Sequence, residues 1–393
     1  MIIDLQSTST SAVNRTLVEI REQGGSVALG RVLNLIICAD DFDAEGAIEA
    51  ANSASRDHPC RVLVIARGPA RGSNRLDAQI RIGGDAGASE VIVLRTFGEL
   101  TKHSEALVTP LLLPDTPVVT WWPGDPPVDL VAEPLGRIAQ RRVSDSARAK
   151  RPRRALAKLA ASHTPGDTDL AWSRISRWRS LLASALDQAP YEPVTKVVVT
   201  GATDSPSTEL LAGWLAMTLK ADVEVKRTAA GTGVVAVELH RASGVLELNR
   251  PERSSIATLT QPGQPERTVS LARRQDDECI AEELRRLDPD DVYGDVVTAG
   301  LKRVDPGLYG GEGAARSGGR SSAKNTARKP PAKTSTARTT TARTTTGKKS
   351  AAPRTSAARS TAAAKKSSPA KATPAKASTS RAVSTRTAAA KKR

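Results

Sequence analysis

The segment Val32-Leu-Asn-Leu-Ile-Ile-Cys38, which runs into the acidic turn Asp40-Asp41-Phe42-Asp43, decides the fold class of this chain. Its apolar run, interrupted by Asn34 alone, predicts a strand buried on both faces, as in a parallel sheet. A helix is predicted over about 44–56 and a second strand at Arg61 to Ala66. Leu76 to Ile82 alternates apolar with polar residues, which indicates a half-exposed strand. Strands interleaved with helices in this way predict an α/β sheet, mostly parallel with an antiparallel portion.

A second stretch, from Thr195 onward, repeats this pattern. Thr195 to Thr200 is predicted to be a strand, Ser207 to Lys220 a helix and Val223 to Lys226 a short strand. Two later apolar runs are predicted to pair across Arg241-Ala-Ser-Gly244. The predicted fold class is therefore α/β: two consecutive α/β domains with mixed sheets, joined by a helical connector and followed by a disordered basic C-terminal tail.

The connector is strongly basic at its start. Arg141 to Lys158 contains eight basic residues and one acid, Asp145. Apolar residues then recur at helical spacing from Trp172 to Leu186 and predict an amphipathic helix over about Thr168 to Asp187. The predicted boundaries are an N-terminal α/β domain at 1–140, a basic linker with this helix at 141–190, a C-terminal α/β domain at 191–305 and the tail at 306–393.

The tail sets the charge of the whole chain. The 393 residues carry 58 Lys+Arg and 42 Asp+Glu, a net charge of +16, but residues 310–393 hold 21 of the basic residues and a single acid, Glu312. Residues 1–309 therefore carry a net charge of −4. Because Val383 is the only large aliphatic residue in 310–393, this segment cannot bury enough apolar surface to fold. We predict non-specific binding of nucleic acid or another polyanion, with these candidate contacts: Lys348, Lys349, Lys365, Lys366, Lys391, Lys392 and Arg393.

The three cysteines, Cys38, Cys60 and Cys279, are odd in number and widely spaced. They argue against a disulfide framework and for a reducing compartment. The N-terminus lacks the apolar core of a signal peptide, and no apolar run approaches the ~20 residues that span a bilayer. We therefore expect a soluble, cytoplasmic protein without membrane contact. No set of four ligands stands at zinc spacing, and the acidic turn at 40–43 is expected to cap a helix rather than to bind a metal.

Two segments are similar to nucleotide-binding motifs. Gly231-Thr-Gly233-Val-Val-Ala236 matches a dinucleotide fingerprint, but strand-like residues follow it where the fingerprint needs a helix. Val197 to Pro206 is predicted to be a strand, a turn and a helix start, which suits a bound phosphate. Ser205 as N-cap with Pro206 in the first helical position explains this segment without a ligand. We therefore predict no catalytic residue, no cofactor and no enzyme activity.

Pro117-Val-Val-Thr-Trp-Trp-Pro-Gly124 carries two adjacent tryptophans. Neighbouring side chains on a strand face opposite ways, so Trp121 and Trp122 cannot both point into one core layer. If the strand is central, both indoles are core; if the pair lies at its end, one of them is exposed to a partner. The candidate partner contacts are Trp121, Trp122, Arg141, Arg142, Arg174 and Arg177.

Five segments of the chain resemble the glucose-6-phosphate dehydrogenase assembly protein (OpcA) family. They are Val32 to Ile37, His58-Pro-Cys-Arg-Val-Leu-Val-Ile65, Pro117 to Gly124, Pro165-Gly-Asp-Thr-Asp-Leu-Ala-Trp-Ser-Arg174 and Trp178-Arg-Ser-Leu-Leu-Ala-Ser-Ala-Leu-Asp-Gln188. The resemblance implies a non-catalytic protein that binds glucose-6-phosphate dehydrogenase, promotes its active oligomer and raises its activity. It would thereby support the oxidative pentose phosphate pathway and NADPH supply.

Two functions of other classes stay open at this point. One is an enzyme or sensor that binds a sugar phosphate or nucleotide near Thr200 to Ser207 or on the basic stretch Arg141 to Lys158. The other is a nucleoid-associated protein that acts through its basic tail.

Overall fold

The computed structural model describes residues 1–23, 32–83 and 90–310. The strands within these residues form two sheets. The first contains β1 (Ile2–Leu5), β2 (Leu33–Asp40), β3 (Cys60–Arg67), β4 (Arg75–Ile82), β5 (Glu90–Phe97), β6 (Val118–Trp122), β7 (Arg141–Ser144) and β8 (Asp167–Asp169). Their order across the sheet is β1-β4-β5-β3-β2-β6-β7-β8.

The second sheet contains β9 (Lys196–Ala202), β10 (Asp222–Thr228), β11 (Val234–Arg241), β12 (Gly244–Asn249), β13 (Ile256–Thr260) and β14 (Arg267–Ser270). Their order is β10-β9-β11-β12-β13-β14. β9 and β10 are parallel, and the remaining neighbours are antiparallel. This mixed sheet, with β11 and β12 paired across 241–244, confirms the sequence prediction.

The helices surround and connect the sheets. They are α1 (Thr10–Gln23), α2 (Ala44–Ala54), α3 (Ser104–Val108), α4 (Pro134–Arg137), α5 (Pro152–Ser162), α6 (Leu170–Ser173), α7 (Ser176–Leu186), α8 (Pro206–Leu219), α9 (Asp276–Arg285), α10 (Asp291–Asp295), α11 (Leu301–Val304) and α12 (Pro306–Tyr309). Short 3₁₀ turns occupy Gly98–Lys102, Thr109–Leu111 and Ser146–Arg148, and a π turn occupies Val296–Gly300. Within the described residues, none of these helices combines the length and the apolar character that a membrane span needs.

The first sheet is buried on both faces because β2 and β3 are apolar along almost their whole length. β2 pairs in parallel with β3 on one side and with β6 on the other. α2 and α9 pack against one face, and α1 packs with Leu111, Leu135 and Leu159 against the other. The parallel centre, with antiparallel β1 and β4 at one edge, confirms the predicted α/β class.

One face of the second sheet packs against α7, α8 and the π turn. The other face carries charged side chains such as Glu224 and Lys226, whose side chains are 48% and 51% exposed. α8 lies very close to the π turn. A Cβ atom added at Gly213 would stand only 3.2 Å from the carbonyl carbon of Gly300. A larger residue at either position would push the helix away from the turn.

The linker region differs from its prediction. No strand is predicted from the sequence between 141 and 190, yet β7 and β8 lie there and extend the first sheet in parallel with β6. Both strands are short and polar, so they lack the apolar run that identifies a buried strand. The single helix predicted over about Thr168 to Asp187 is divided into α6 and α7. β1, α1 and β13 are further elements that the sequence analysis does not contain.

The folded body also extends beyond the predicted end at Leu301 to Asp305. Asp305 Oδ1 accepts a hydrogen bond from the backbone N–H of Leu308 at 3.0 Å and so caps α12. Tyr309 is only 6% exposed and belongs to the core of the second sheet. Residues 306–309, which the sequence analysis assigns to the tail, therefore belong to the folded body. The rest of the predicted tail, including its candidate lysines, lies outside the described residues.

Candidate functional site

Trp121 and Trp122 lie in β6, which stands between β2 and β7 where both faces of the sheet are covered. Each residue is 1% exposed. Trp121 packs into the core formed with α2 and α9, and Trp122 packs into the core on the opposite face. The prediction that one of the pair contacts a partner is corrected, because the central position of the strand leaves neither indole at the surface.

Arg141 and Arg142, also predicted partner contacts, are buried in ion pairs. Arg141 of β7 donates to Glu283 of α9 at 2.6 Å and to the carbonyl oxygen of Asp288 at 2.9 Å. Arg142 donates to the carboxylate of Asp167 and to the carbonyl oxygen of Pro165 at 2.6 Å. Both side chains hold distant segments of the chain together, so neither is available to a partner.

Arg174 and Arg177 differ in exposure. The guanidinium of Arg174 donates to both carboxylate oxygens of Asp145, each at 2.7 Å, and to Asp276 at 2.8 Å. Arg177 is exposed and donates to Glu278 of α9 at 2.8 Å. Of the six predicted contacts, all of which lie within the described residues, Arg177 alone is exposed.

Asp145 and Asp169 are two carboxylates with no exposed surface. Asp169 accepts hydrogen bonds from Ser144 Oγ at 2.7 Å and from the backbone N–H of Ser146 at 2.9 Å. Burial, reinforced by the negative charge of Asp145, raises the pKa of Asp169 to about 6, although these hydrogen bonds lower it. A raised carboxyl pKa is typical of acid–base catalysts that line a cleft. Asp169 is enclosed instead, and its hydrogen bonds anchor the start of α6.

The basic stretch Arg141 to Lys158 is largely neutralised by acids from elsewhere. Beyond the pairs already described, Arg148 pairs with Asp276, Lys150 with Asp125 at 3.2 Å, and Arg153 with Glu209 at 2.7 Å and Asp305 at 3.0 Å. Of its eight basic residues, the exposed ones without a described carboxylate partner are Arg151, Arg154 and Lys158. This arrangement gives no support to a sugar-phosphate site on the stretch.

The other predicted phosphate region, Thr200 to Ser207, borders a cavity of about 330 Å³. Ser205 caps α8 as predicted, because its Oγ accepts a hydrogen bond from the Thr208 N–H at 3.2 Å. Gly231 and Gly233 line the same cavity, and β11 begins directly after them at Val234. The expected strand after this glycine segment is therefore confirmed, and the dinucleotide fingerprint lacks its helix. The two motifs nevertheless meet in space, because β9 and β11 are neighbours in the sheet.

Four arginines from three separate parts of the sequence complete this cavity: Arg174, Arg250, Arg273 and Arg274. Arg274 donates to the carbonyl oxygen of Ser173 at 2.8 Å and pairs with Glu282. Arg273 donates to the carbonyl oxygens of Thr232 and Glu252, the latter at 2.9 Å. Sequence analysis missed the last three arginines, because they lie outside the segments that carry a basic cluster or a phosphate-binding pattern.

Arg250 is the most enclosed of these cations, with 4% exposure. It donates to the carbonyl oxygens of Leu271 at 3.0 Å and Val234 at 2.9 Å, and its guanidinium lies 5.2 Å from the centre of the Trp178 ring. Its Nε has no hydrogen-bond partner among the described residues. Burial, together with the positive charge of Arg273, lowers the pKa of Arg250 to about 10.

A second cavity, of about 310 Å³, lies at the carboxyl ends of β2 and β6, where the parallel strand order of the first sheet changes direction. Such switch points often bind ligands in α/β proteins. Cys38 and Trp122 line it. Burial raises the pKa of Cys38 to about 11, so this thiol is held in its protonated, unreactive form.

The acidic turn at 40–43 forms ion pairs instead of a metal site. Asp40 pairs with Arg67 at 3.6 Å and Asp41 with Arg95 at 3.2 Å. Asp43 precedes α2 but makes no side-chain capping hydrogen bond, so the predicted cap is absent. Among the residues that the structure describes, no three His, Cys, Asp or Glu side chains are grouped to hold a metal. Cys38 and Cys60 lie on opposite faces of the first sheet.

Comparison with known proteins identifies the family. Residues 51–161 match the N-terminal domain, and residues 165–297 the C-terminal domain, of the family described as "Glucose-6-phosphate dehydrogenase subunit". No curated protein matches the sequence. A crystal structure described as glucose-6-phosphate 1-dehydrogenase from Mycobacterium avium is 11% identical, covering 70% of this chain and 91% of that chain. Its TM-score of 0.34 is too low to carry an argument. The two family matches confirm the resemblance seen in the sequence: the chain belongs to the OpcA family of glucose-6-phosphate dehydrogenase subunits.

Proposed function

We propose that this protein is a non-catalytic assembly factor that binds glucose-6-phosphate dehydrogenase, promotes its active oligomer and raises its activity. The observation that carries the proposal is the pair of family matches, which together include strands of both sheets and whose descriptions name a subunit of that enzyme. Through this partner the protein supports NADPH supply by the oxidative pentose phosphate pathway in the cytoplasm.

The physical basis of activation is linkage. A protein that binds the oligomer more tightly than the free subunit shifts the population toward the oligomer. The shift requires no catalytic group on the activator. The internal pairing of two of its buried acids is in keeping with this, since Asp145 and Glu283 are each held by an arginine.

Phe42 is our candidate contact for the dehydrogenase. It lies in the acidic turn after β2 and is 96% exposed, which is unusual for a large aromatic side chain. A neighbouring loop lies beside this turn, because a Cβ atom at Gly124 would stand 3.9 Å from Asp43 Oδ2. Val128, in the same loop as Gly124, is 55% exposed. Aromatic anchors surrounded by polar residues are typical of binding hot spots.

The test mixes the purified full chain with glucose-6-phosphate dehydrogenase from the same organism. We expect sedimentation velocity to show a larger species that contains both proteins, and initial rates to show a higher kcat or a lower KM. The chain alone, given glucose 6-phosphate and NADP, should form no NADPH. Unchanged rates together with unchanged sedimentation would refute the assembly function, and NADPH formation by the chain alone would refute its non-catalytic character.

A further inference from the structure

We propose that the cavity bordered by the β9–α8 turn, the Gly231–Gly233 loop and Arg250 binds the phosphate group of a small phosphorylated metabolite. The site lies within one chain and is formed by side chains and backbone that are already in place. The proposal goes beyond the assembly function and does not depend on it, because it concerns the isolated protein.

Arg250 carries a buried positive charge at the wall of this cavity. This guanidinium is buried, and no carboxylate of the described residues lies within ion-pair distance of it. Among the described residues its partners are two carbonyl oxygens and the Trp178 ring, and its Nε has no hydrogen-bond partner there. Burying a cation without a counter-ion is costly, and an anion placed beside it removes much of that cost.

Arg273 adds a second cation without a carboxylate partner. It donates only to carbonyl oxygens in the described residues, and its charge acts unfavourably on Arg250. The other two arginines of the cavity differ, because Arg174 is neutralised by Asp145 and Arg274 by Glu282. The excess positive charge is therefore concentrated at Arg250 and Arg273, and a single anion between them would stabilise both.

The start of α8 supplies one backbone donor to the same cavity. Pro206, in the first helical position, has no N–H, but the N–H of Ser207 lacks an intrahelical acceptor, and the helix dipole favours an anion there. The hydroxyl of Ser207 donates to the carbonyl oxygen of Ala171 at 2.8 Å, which fixes its position at the cavity wall. Phosphate is the anion most often bound where such a helix start meets a glycine loop.

The glycine loop lets its backbone reach the cavity. Gly231 and Gly233 have φ angles of +81° and +67°, which favour glycine. A Cβ atom at Gly233 would lie 2.6 Å from Nη1 of Arg273, so any side chain there would displace this arginine. Among the described residues Asp204 is the one carboxylate that lines the cavity, and its Oδ1 accepts a hydrogen bond from the N–H of Gly231 at 2.9 Å. This hydrogen bond holds the loop in position.

The size and the remaining wall define the ligand class. A cavity of about 330 Å³ lies near the lower end of the range for small-molecule sites, roughly 300–1,000 Å³. Ile175 and Trp178 give it an apolar wall, which suits the carbon skeleton of a ligand. We therefore assign a phosphate monoester of a small metabolite. Arginine forks match phosphate oxygens in geometry as well as in charge.

The experiment is isothermal titration of the full chain with inorganic phosphate, glycerol 3-phosphate and, as the neutral counterpart, glycerol. We expect saturable binding of the two phosphates, one per chain, and no binding of glycerol. The Arg250→Met and Arg273→Gln variants should each bind glycerol 3-phosphate at least ~10-fold more weakly. Because every variant keeps the basic C-terminal residues, any weak binding of phosphate by those residues cancels in the comparison.

Arg253→Gln is the matched control, since Arg253 is exposed on the loop that follows β12 and does not line the cavity. It removes the same charge and should leave affinity within about twofold. Circular dichroism tests whether each variant is folded. If Arg250→Met does not fold, the affinity of the Arg273→Gln variant decides the outcome, because Arg273 is exposed. Absence of saturable phosphate binding up to about 10 mM would overturn the proposal. It would also be overturned if the variants of Arg250 and Arg273 bound no more weakly than the Arg253 control.

Discussion

Trp121 and Trp122 are consecutive residues of one strand, yet they belong to hydrophobic cores on opposite faces of the first sheet. Trp121 lies beside Ile37 of β2 and Val143 of β7, so the strand is paired on both sides. The pair thus ties the two layers of helices to one central strand. Adjacent aromatic residues serve here as two separate packing anchors.

Replacing either tryptophan should destabilise the protein. Trp121→Ala and Trp122→Ala should each lower the free energy of unfolding by ~3–5 kcal/mol, because each leaves a large cavity in a closed core. Urea denaturation checks this, with Phe42→Ala as a surface control that should change stability by less than ~0.5 kcal/mol. A tryptophan variant with unchanged stability and weakened dehydrogenase binding would restore the interface interpretation.

Phe42→Ala should weaken binding of glucose-6-phosphate dehydrogenase by ~2 kcal/mol or more, as expected for an aromatic hot spot. Surface plasmon resonance with the immobilised dehydrogenase measures the change. Tyr191→Ala is the matched control, because Tyr191 is also an exposed aromatic residue, 80% exposed, between α7 and β9. Equal affinity for the wild type and Phe42→Ala would exclude the turn after β2 as the contact.

Stability should depend on the protonation of Asp169. Its folded pKa, raised to about 6, lies above the ordinary value of 3.8, so the folded state binds this proton more tightly than the unfolded state. The resulting stabilisation is fully present below about pH 4 and is lost as the pH rises through about 6. The shift corresponds to ~3 kcal/mol.

The measurement is the difference in unfolding free energy between the wild type and Asp169→Asn, which cannot titrate. We expect the wild type to lose ~3 kcal/mol relative to the variant between about pH 4 and pH 7. Parallel profiles for the wild type and Asp169→Asn would contradict the raised pKa.

The C-terminal boundary of the folded body can be located by truncation. A chain that ends at Gly310 should unfold at nearly the same denaturant concentration as the full chain. A chain that ends at Asp305 should lose ~3 kcal/mol, because it lacks the buried side chain of Tyr309. Equal stability of the two truncated chains would show that α12 contributes nothing to the core.

Residues beyond Gly310 should bind DNA or RNA without sequence preference. If ~6–10 phosphates are neutralised, affinity should fall ~10³–10⁵-fold between about 50 and 200 mM salt. Gel shifts with the full chain and with a chain ending at Gly310 measure this, and the truncated chain should not bind. The truncated chain should still activate the dehydrogenase; loss of activation would assign these residues to the assembly mechanism.

Much of the fold follows from local patterns. The apolar runs of β2 and β3 predict a parallel centre because only strands covered on both faces are apolar throughout. Ser205 and Pro206 locate the start of α8 because their chemistry suits the first turn of a helix. The resemblance of Pro165 to Arg174 to the OpcA family identifies the family correctly, since the family matches cover this stretch.

Local patterns do not reveal partners that are distant in sequence. The sequence around Arg141 and Arg142 predicts a basic surface, because the acids that pair with them, Glu283 and Asp167, come from other segments. The strand β7 that carries these arginines is polar, so its sequence lacks the apolar periodicity by which strands are predicted.

The sequence alone determined the α/β class, the two mixed sheets, the excess of positive charge after residue 310 and the family. Tertiary structure decided which charges are paired and which are not. Arg174 and Arg250 look alike in the sequence, but folding brings two acids to the first, whereas the partners of the second among the described residues are two carbonyl oxygens and the Trp178 ring. The physical reason is that the energy of a charge depends on its burial and on its neighbours, and both are fixed only when the chain has folded.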